Sequence, residues 1–178
     1  KYPYISAVIL MYFLSIFITS CTQRTFEVEP CTSGIECRDA FGFGAVCGES
    51  GFCEDVRSND RCQPLVPSDL FDNLSAYSNA YPVGVLFDHT ADFEKIFATE
   101  LAITEIRSRG DLDQHEIVSI QCDYQNDSSN EMDGLIGYDA VQFGMTFLAE
   151  DLGVPLVIGP AGSDDSIAAY DIAKESQT

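Results

Sequence analysis

Three strand-like runs, each followed by a segment with helical character, occupy the sequence from residue 81 to residue 178. The runs cover residues 82–87, 116–122 and 154–158, and short runs of this kind are typical of buried strands. After the first run, apolar residues recur every three or four positions up to Gly110, which predicts a helix ending there: Phe93, Ile96, Phe97, Leu101, Ile103 and Ile106. A second helix is predicted to end at Gly153 and a third to begin near Ser163.

This order of elements predicts an α/β fold, namely a parallel sheet with helices on both faces. A connection between two parallel strands has to run back along the sheet, and it is right-handed in nearly all known folds. Doubly wound sheets usually carry five or six strands. Since only three strands are predicted, we expect residues 81–178 to form an incomplete lobe of a larger domain.

A small cysteine framework precedes this α/β segment. Cys31, Cys37, Cys47 and Cys53 lie among glycines that can form tight turns, which predicts disulfides with three possible pairings. Zinc binding is the weaker interpretation, because the framework has no Cys-x-x-Cys pair and no histidine precedes His89. We therefore expect a disulfide-rich segment and no metal.

Residues 54–80 are rich in Ser, Asp, Asn and Pro, a composition that predicts a linker. Cys62 lies in this segment without a local partner. Once Cys21 is set aside, Cys62 and Cys122 are the cysteines outside the framework. A disulfide between them would attach the linker to the sheet, provided that their Cα atoms lie within about 7 Å.

Residues 1–20 have the features of a signal peptide. Lys1 precedes an apolar run over residues 4–18, which is shorter than the roughly 20 apolar residues of a membrane-spanning helix. A true membrane anchor is the alternative. The sequence Ile18-Thr19-Ser20-Cys21 resembles the lipobox of bacterial lipoproteins. This resemblance implies export to the cell envelope, cleavage before Cys21 and attachment to the membrane through lipid on Cys21. We assign residues 21–53 to one segment, which contains the lipidated cysteine and the disulfide framework.

The chain is strongly acidic, with 29 Asp and Glu against 9 Lys and Arg and a formal net charge of −20. Nucleic acid is not an expected partner, because phosphate binding needs a clustered basic surface. A solvated acidic surface that keeps an exported protein soluble explains the charge without any ligand. The charge therefore selects no particular solute.

The sequence contains no catalytic motif that we recognise: no Gly-x-Ser-x-Gly elbow, no phosphate-binding Gly-Lys-Ser/Thr loop and no His-Glu-x-x-His helix. Residues 42–44 (GFG) are similar to the start of a dinucleotide-binding loop, but Cys47 stands where the motif needs glycine. An enzyme that used Ser163 as nucleophile would need a base, and the chain has only two histidines. We expect no enzymatic activity and no cofactor.

The third strand and the turn after it resemble a known family. Residues 157–163 (VIGPAGS), with 166–168 and 172–173, resemble the first lobe of type 1 periplasmic binding proteins, in particular the leucine/isoleucine/valine-binding branch. Two further stretches are similar to the family's first helix and to its second strand with the following loop: residues 100–106 with Gly110, and residues 119–123 with Asn126 and Asp127. The resemblance covers residues 81–178 and leaves residues 22–80 outside.

The resemblance implies a protein that binds a small polar solute, such as an amino acid, between two lobes and delivers it to a membrane transporter permease. In open parallel sheets, ligands bind beyond the carboxyl ends of the strands. The candidate contacts are therefore His89, Thr90, Ala161, Gly162 and Ser163. The family also contacts the ligand, including its amino group, through residues beyond the third helix, and these contacts have no counterpart in residues 81–178.

Each of these candidates has a plainer alternative. Ser163 matches by position the serine that holds the ligand carboxylate in amino-acid-binding members, but a helix N-cap needs the same residue type. His89 could be an ordinary surface residue. Asp164 and Asp165 suit the first turn of a helix, yet they would repel an anionic ligand, so a cationic or zwitterionic solute is an equal candidate.

A ligand-sensing ectodomain of a signalling receptor is the alternative function, because signalling receptors also use the same lobes as their extracellular ligand-binding part. The predicted lipid attachment favours transport over sensing, since a lipid anchor cannot carry a signal across the membrane.

Overall fold

The structure is a computed structural model that describes residues 30–110, 112, 115–125 and 134–176. The predicted signal segment 1–20, the predicted lipidation residue Cys21, and the pair Asn126 and Asp127 lie outside these residues. The elements in chain order are α1 (Gly34–Phe41), β1 (Ala45–Cys47), β2 (Cys53–Asp55), β3 (Cys62–Val66), a 3-10 turn (Leu74–Tyr77), β4 (Tyr81–Phe87), α2 (Phe93–Arg109), β5 (Ile117–Asp123), α3 (Tyr138–Thr146) with a π-helical extension (Phe147–Asp151), β6 (Val157–Ile158) and α4 (Ser163–Glu175).

The cysteine framework folds into α1 and the antiparallel pair of β1 with β2. Of the three pairings that the sequence allows, the structure has Cys31–Cys47 and Cys37–Cys53. The sulfur atoms of Cys31, Cys37 and Cys47 lie within 4.8 Å of one another. All three are bonded in disulfides, so none offers the thiolate that a metal ion binds.

The framework is held against the α/β part by Arg38 of α1. The guanidinium of Arg38 donates to the carbonyl oxygen of Glu150 at 2.6 Å and also to that of Asp151, at the end of the π-helical extension. Burial is the main cause that lowers the pKa of Arg38, and it is also the main cause that raises the pKa of Asp151. Arg38 therefore satisfies carbonyl groups that a helix end leaves without internal partners.

The main sheet has four strands in the order β3-β5-β4-β6. β5, β4 and β6 are mutually parallel, as the sequence predicts, whereas β3 pairs antiparallel with β5. The sheet is therefore mixed, and the expectation of a purely parallel sheet is corrected at this edge. Residues 62–66 belong to the segment that composition marked as a linker, so this segment contributes a strand as well as a connection. Pro64 lies within this strand, and proline is tolerated there because β3 is at the edge of the sheet.

The predicted disulfide between Cys62 and Cys122 is confirmed, with Cα atoms 4.1 Å apart. These residues are directly opposite each other in the antiparallel pairing of β3 with β5. Both cysteines are fully buried. The bond therefore links the edge strand covalently to the centre of the sheet.

The third predicted strand is shorter than the sequence indicated, since β6 contains only Val157 and Ile158. Val154 donates its amide hydrogen to the carbonyl oxygen of Leu148 at 2.9 Å and so continues the preceding helix end. Pro155 has no amide hydrogen to contribute to a strand ladder. Pairing with β4 begins at Leu156, whose carbonyl oxygen accepts from the Gly84 amide at 2.8 Å.

Helices cover both faces of the sheet. On one face, which we call the α2 face, Val85 and Phe87 of β4 pack with Ile96 of α2. On the other, the α3–α4 face, Leu86 and Ile120 join a larger core containing Val141, Met145, Leu148, Ala168 and Ala169. The apolar residues of α2 do not all point inward: Ile96 and Ile103 are buried, but Phe93, Phe97 and Leu101 are each about 60% exposed.

No helix among the described residues combines the length and the apolar character that are needed to cross a membrane.

Candidate functional site

The carboxyl ends of β4, β5 and β6 lie at one edge of the sheet, because these three strands are parallel and adjacent. The loops that leave them begin at Asp88, Tyr124 and Gly159. We call these loops the first, second and third exits and their shared surface the exit edge. Ligands of open parallel sheets bind at such an edge.

Asp123, the last residue of β5, joins the first and second exits. Its Oδ1 atom accepts the amide hydrogen of His89 at 2.9 Å and that of Gln125 at 2.8 Å. The residue is only 6% exposed. A buried carboxylate that accepts two backbone hydrogen bonds fixes the conformation of both loops.

Arg61 supports the second exit from beneath. Its guanidinium donates to the carbonyl oxygens of Asp123 at 3.1 Å and Leu135 at 2.7 Å, and Asp123 donates its amide hydrogen back to the Arg61 carbonyl oxygen at 2.9 Å. Arg61 is 6% exposed. Arg61 immediately precedes β3. Because the pairing of β3 with β5 fixes the position of Arg61, the antiparallel edge strand contributes to the support of the second exit.

Tyr124 connects the second exit to the other two. Its hydroxyl group donates to Asp92 Oδ2 at 3.3 Å and accepts the amide hydrogen of Ala161 at 3.4 Å. Asp92, which immediately precedes α2, is itself buried and forms an ion pair with Lys95. All three exits are therefore linked through side chains of Asp123 and Tyr124.

Burial is the main cause that raises the pKa of Tyr124 to about 12. The carboxylates of Asp165 and Asp92 act in the same direction, whereas the hydrogen bond from Ala161 opposes the shift. Tyr124 consequently remains protonated at neutral pH and can donate to Asp92. Its hydroxyl hydrogen is committed to that carboxylate and is not available to a ligand.

The third exit turns from β6 into α4 within four residues. Gly159 has a φ angle of +104°, and a Cβ atom there would collide with the carbonyl oxygen of Leu86. Gly162 is the N-cap residue of α4 and Ser163 is the first helical residue. The capping alternative for Ser163 is therefore wrong, because the cap position belongs to the glycine. The Ser163 side chain is exposed at the exit edge.

Carboxylates dominate the charge around this turn. Asp164 is exposed, while the carboxylate of Asp165 folds back over Gly162, where a Cβ atom would collide with it. Asp165 also lies close enough to Tyr124 to raise its pKa. The positive end of a helix dipole favours a negative charge nearby. At the start of α4 the carboxylate of Asp165 already supplies such a charge.

The five residues that the sequence proposed as ligand contacts all lie in the first or third exit. His89, Thr90, Ala161 and Ser163 are exposed, and Gly162 is partly exposed. The amide of Ala161 is hydrogen-bonded to Tyr124, which leaves the residues after it as the better candidates.

Sequence reasoning missed the residues that hold the exits together, namely Asp92, Tyr124 and Arg61. Asp92 and Tyr124 each lie close after the end of a predicted strand, and that position was the available signal. No sequence signal marked Arg61, because the carbonyl groups to which it donates are distant in sequence.

The described chain thus belongs to the class of mixed α/β proteins, with three parallel strands whose carboxyl ends meet in a polar, cross-linked edge. No protein-family model matches the sequence, and neither a curated protein nor a solved structure has significant similarity to it.

Proposed function

We propose that this protein is an exported solute-binding lipoprotein of an ABC-type uptake system, and that it binds a small polar solute, similar to an amino acid, at the exit edge. The observation that carries the proposal is the arrangement of the three exits. They are tied together by Asp123 and Tyr124, and yet His89, Thr90 and Ser163 remain exposed on them. A preorganised framework beneath exposed polar groups suits the binding of a small molecule.

The start of α4 offers hydrogen-bond donors to a polar solute. The first amides of a helix have no partners within the helix, and the dipole makes this end positive. Ser163 adds a hydroxyl group at the same position. An acceptor group of the solute, such as a carboxylate or a carbonyl oxygen, fits these donors.

Asp164 and Asp165 favour a solute that also carries an ammonium group. A purely anionic solute would approach both carboxylates at close range, where screening over about 8 Å at physiological salt is weak. A zwitterion can place its ammonium group near the carboxylates and its carboxylate near the helix amides. The proposed ligand class is therefore a zwitterionic or cationic amino compound.

The three disulfides support the exported part of the proposal. All six cysteines of residues 30–176 are paired. Disulfides persist in oxidising compartments and are rare in the bacterial cytosol. Together with the resemblance of residues 18–21 to a lipobox, this pairing supports a location in the cell envelope.

Binding is best tested by NMR, which detects millimolar affinities. The isotope-labelled protein would be titrated with amino acids, short peptides and polyamines while the backbone amide resonances are followed. We expect saturable shifts in the three exits, including the amides of His89, Ser163 and Asp164. The absence of shifts across the panel at millimolar solute, or shifts confined to residues away from the exits, would contradict the proposal.

A matched pair of serine variants separates binding from general effects on the fold. S163A removes the hydroxyl group at the exit edge, whereas S108A removes one from the exposed end of α2. We expect S163A to weaken binding of the active solute about tenfold, as the loss of one hydrogen bond to a charged group does. S108A should bind like the parent, and equal affinities for all three proteins would remove Ser163 from the site.

Lipid attachment requires its own experiment. Expression with a radioactive fatty acid in a bacterial host should label the parent chain but not C21A. Labelling of both chains, or of neither, would contradict acylation at Cys21 and leave the solute-binding proposal to the NMR titration.

A further inference from the structure

A small pocket lies between the cysteine framework and the segment that connects β3 to β4. Its volume is about 260 Å³. The framework contributes Phe41, Phe43 and Asp55 to the lining, and the connecting segment contributes residues 71–75 and Ser78. Because residues 67–80 run from the end of β3 to the start of β4, the pocket lies near the amino ends of the parallel strands, away from the exit edge.

Three phenylalanines line this pocket: Phe41, Phe43 and Phe71. Phe43 and Phe71 are partly buried and pack against the main core, which holds their rings in place. Phe41 is the last residue of α1 and is 74% exposed, so its ring is accessible to a ligand. The electron-rich faces of aromatic rings attract cations, and above all organic cations that are weakly hydrated.

Two exposed carboxylates, Asp55 of β2 and Asp72, line the same pocket. In the part of the chain that the structure describes, neither carboxylate takes part in a hydrogen bond or an ion pair. The neighbouring Asp69 differs, since it accepts from Asn73 at 3.0 Å and from Tyr77 at 3.2 Å. No described lysine or arginine lines the pocket. The pocket is therefore negatively charged and complementary to a cation.

The backbone around Gly44 holds the two sides of the pocket close together. Gly44 has a φ angle of +89°, and a Cβ atom there would lie 2.5 Å from the side chain of Leu74, which lines the pocket on the opposite side. The carbonyl oxygen of Gly44 accepts the amide hydrogen of Val56 at 2.7 Å, directly after Asp55. A pocket fixed in this way needs little ordering when a ligand binds.

The size and the chemistry of the pocket favour a small quaternary ammonium group. Pockets for drug-sized ligands measure about 300–1,000 Å³, so this smaller one suits a single compact group. A quaternary ammonium group presents methyl groups to aromatic walls and has no hydrogen-bond donors that would be left without acceptors. A primary ammonium group is strongly hydrated, and it would lose much of that hydration between the rings.

We propose that this pocket is a second ligand site, which binds a free quaternary ammonium solute between the three phenylalanine rings and the carboxylates of Asp55 and Asp72. This inference is independent of the proposed binding at the exit edge, because no residue of the three exits lines the pocket. A lipid headgroup with the same ammonium group is a poorer occupant, since its phosphate would approach both carboxylates at close range.

The ligand class is tested by NMR titration of the isotope-labelled protein with choline and with its neutral carbon isostere, 3,3-dimethyl-1-butanol. We expect millimolar choline to cause saturable shifts at the amides of residues 41–44 and 71–73. The isostere should bind at least about fivefold more weakly, because it has the same shape but no charge. Phosphocholine, which represents the lipid headgroup, should also bind more weakly than choline. Equal binding of the isostere, tighter binding of phosphocholine, or no choline-dependent shifts in the pocket would overturn the proposal.

Matched variants then test the residues of the site. F41L keeps an apolar side chain but removes the ring, and D72N keeps the size of the side chain but removes its charge. The controls F52L and D39N make the same changes at exposed framework residues that do not line the pocket. We expect F41L and D72N each to weaken choline binding about threefold, and both controls to bind like the parent. Parent-like choline affinities of F41L and D72N would overturn the proposal.

Discussion

The hydroxyl group of Tyr124 accepts the amide hydrogen of Ala161 at 3.4 Å, so a residue that follows β5 fixes the turn that follows β6. The same hydroxyl group donates to Asp92 ahead of α2. One phenol in the second exit therefore contacts both the first and the third exit.

Replacing Tyr124 with Phe should change how stability depends on alkaline pH. The folded protein holds the Tyr124 proton up to a pKa of about 12, whereas an unfolded tyrosine releases it near pH 10. The unfolded state therefore loses its proton first, and stability falls as the pH rises from about 10 towards 12. Urea unfolding at a series of pH values should find a smaller alkaline loss in Y124F, together with about 1 kcal/mol lower stability at neutral pH. The exposed residue Tyr170 gives the control Y170F, and equal alkaline profiles for both variants would contradict the assignment.

Replacing Gly159 with Ala should be far more damaging than the same change at Gly42. Both glycines have positive φ angles, +104° and +92°, which cost a residue with a side chain about 1 kcal/mol or more. A Cβ atom at Gly159 would in addition collide with the backbone of Leu86, whereas nothing lies within 4 Å of one at Gly42. We expect G159A to lose at least about 3 kcal/mol of unfolding free energy and G42A about 1 kcal/mol. Similar losses in urea unfolding would mean that the third exit can relax around the new methyl group.

Removing the Cys62–Cys122 disulfide should destabilise the protein more than removing Cys31–Cys47. Their sequence separations are 60 and 16 residues, and a longer loop loses more entropy when it is closed in the unfolded chain. The expected losses are about 4 kcal/mol for C62A/C122A and about 3 kcal/mol for C31A/C47A. Urea unfolding under non-reducing conditions measures both values. A smaller loss for C62A/C122A would show that strain or residual structure outweighs loop length.

Replacing Arg61 with Met should loosen the second exit. The substitution keeps much of the apolar stem but leaves the carbonyl oxygens of Asp123 and Leu135 without their guanidinium donor. We expect a loss of about 2–3 kcal/mol and faster hydrogen exchange at residues 123–125. The exposed residue Arg57 provides the control R57M, for which we expect a change within about 0.5 kcal/mol. A neutral R61M variant would show that water replaces the lost donor.

The sequence predicted the strand and helix order because hydrophobic periodicity is a local signal. β4 and β5 match the predicted runs to within one residue at each end, and the helix before Gly110 ends there as predicted. Gly110 is in the left-handed conformation that commonly closes a helix. Periodicity did not separate the inward Ile96 and Ile103 of α2 from the outward Phe93 and Phe97, since all of them are apolar.

The β3 strand could not be predicted from its own residues, because its pairing partner lies about 60 residues away and Pro64 within it argues against a strand. The same limit applies to β6, which is short because the Val154 amide hydrogen-bonds to Leu148 and Pro155 has no amide hydrogen to donate. The candidate contacts at the exit edge were predictable, since the carboxyl ends of parallel strands share one edge. The buried hydrogen bonds of Asp123, Tyr124 and Arg61 could not be predicted in this way, because they join residues that are distant in sequence.

The helices and strands of the parallel part follow from local sequence patterns, as does the possibility that Cys62 and Cys122 pair with each other. Three features depend on the folded chain: the antiparallel direction of β3, the pairing of the framework cysteines, and the support of the three exits by Asp123, Tyr124 and Arg61. The physical reason is that hydrophobic periodicity is written in neighbouring residues, whereas strand partners, disulfide geometry and buried hydrogen bonds join residues that only the folded chain brings together.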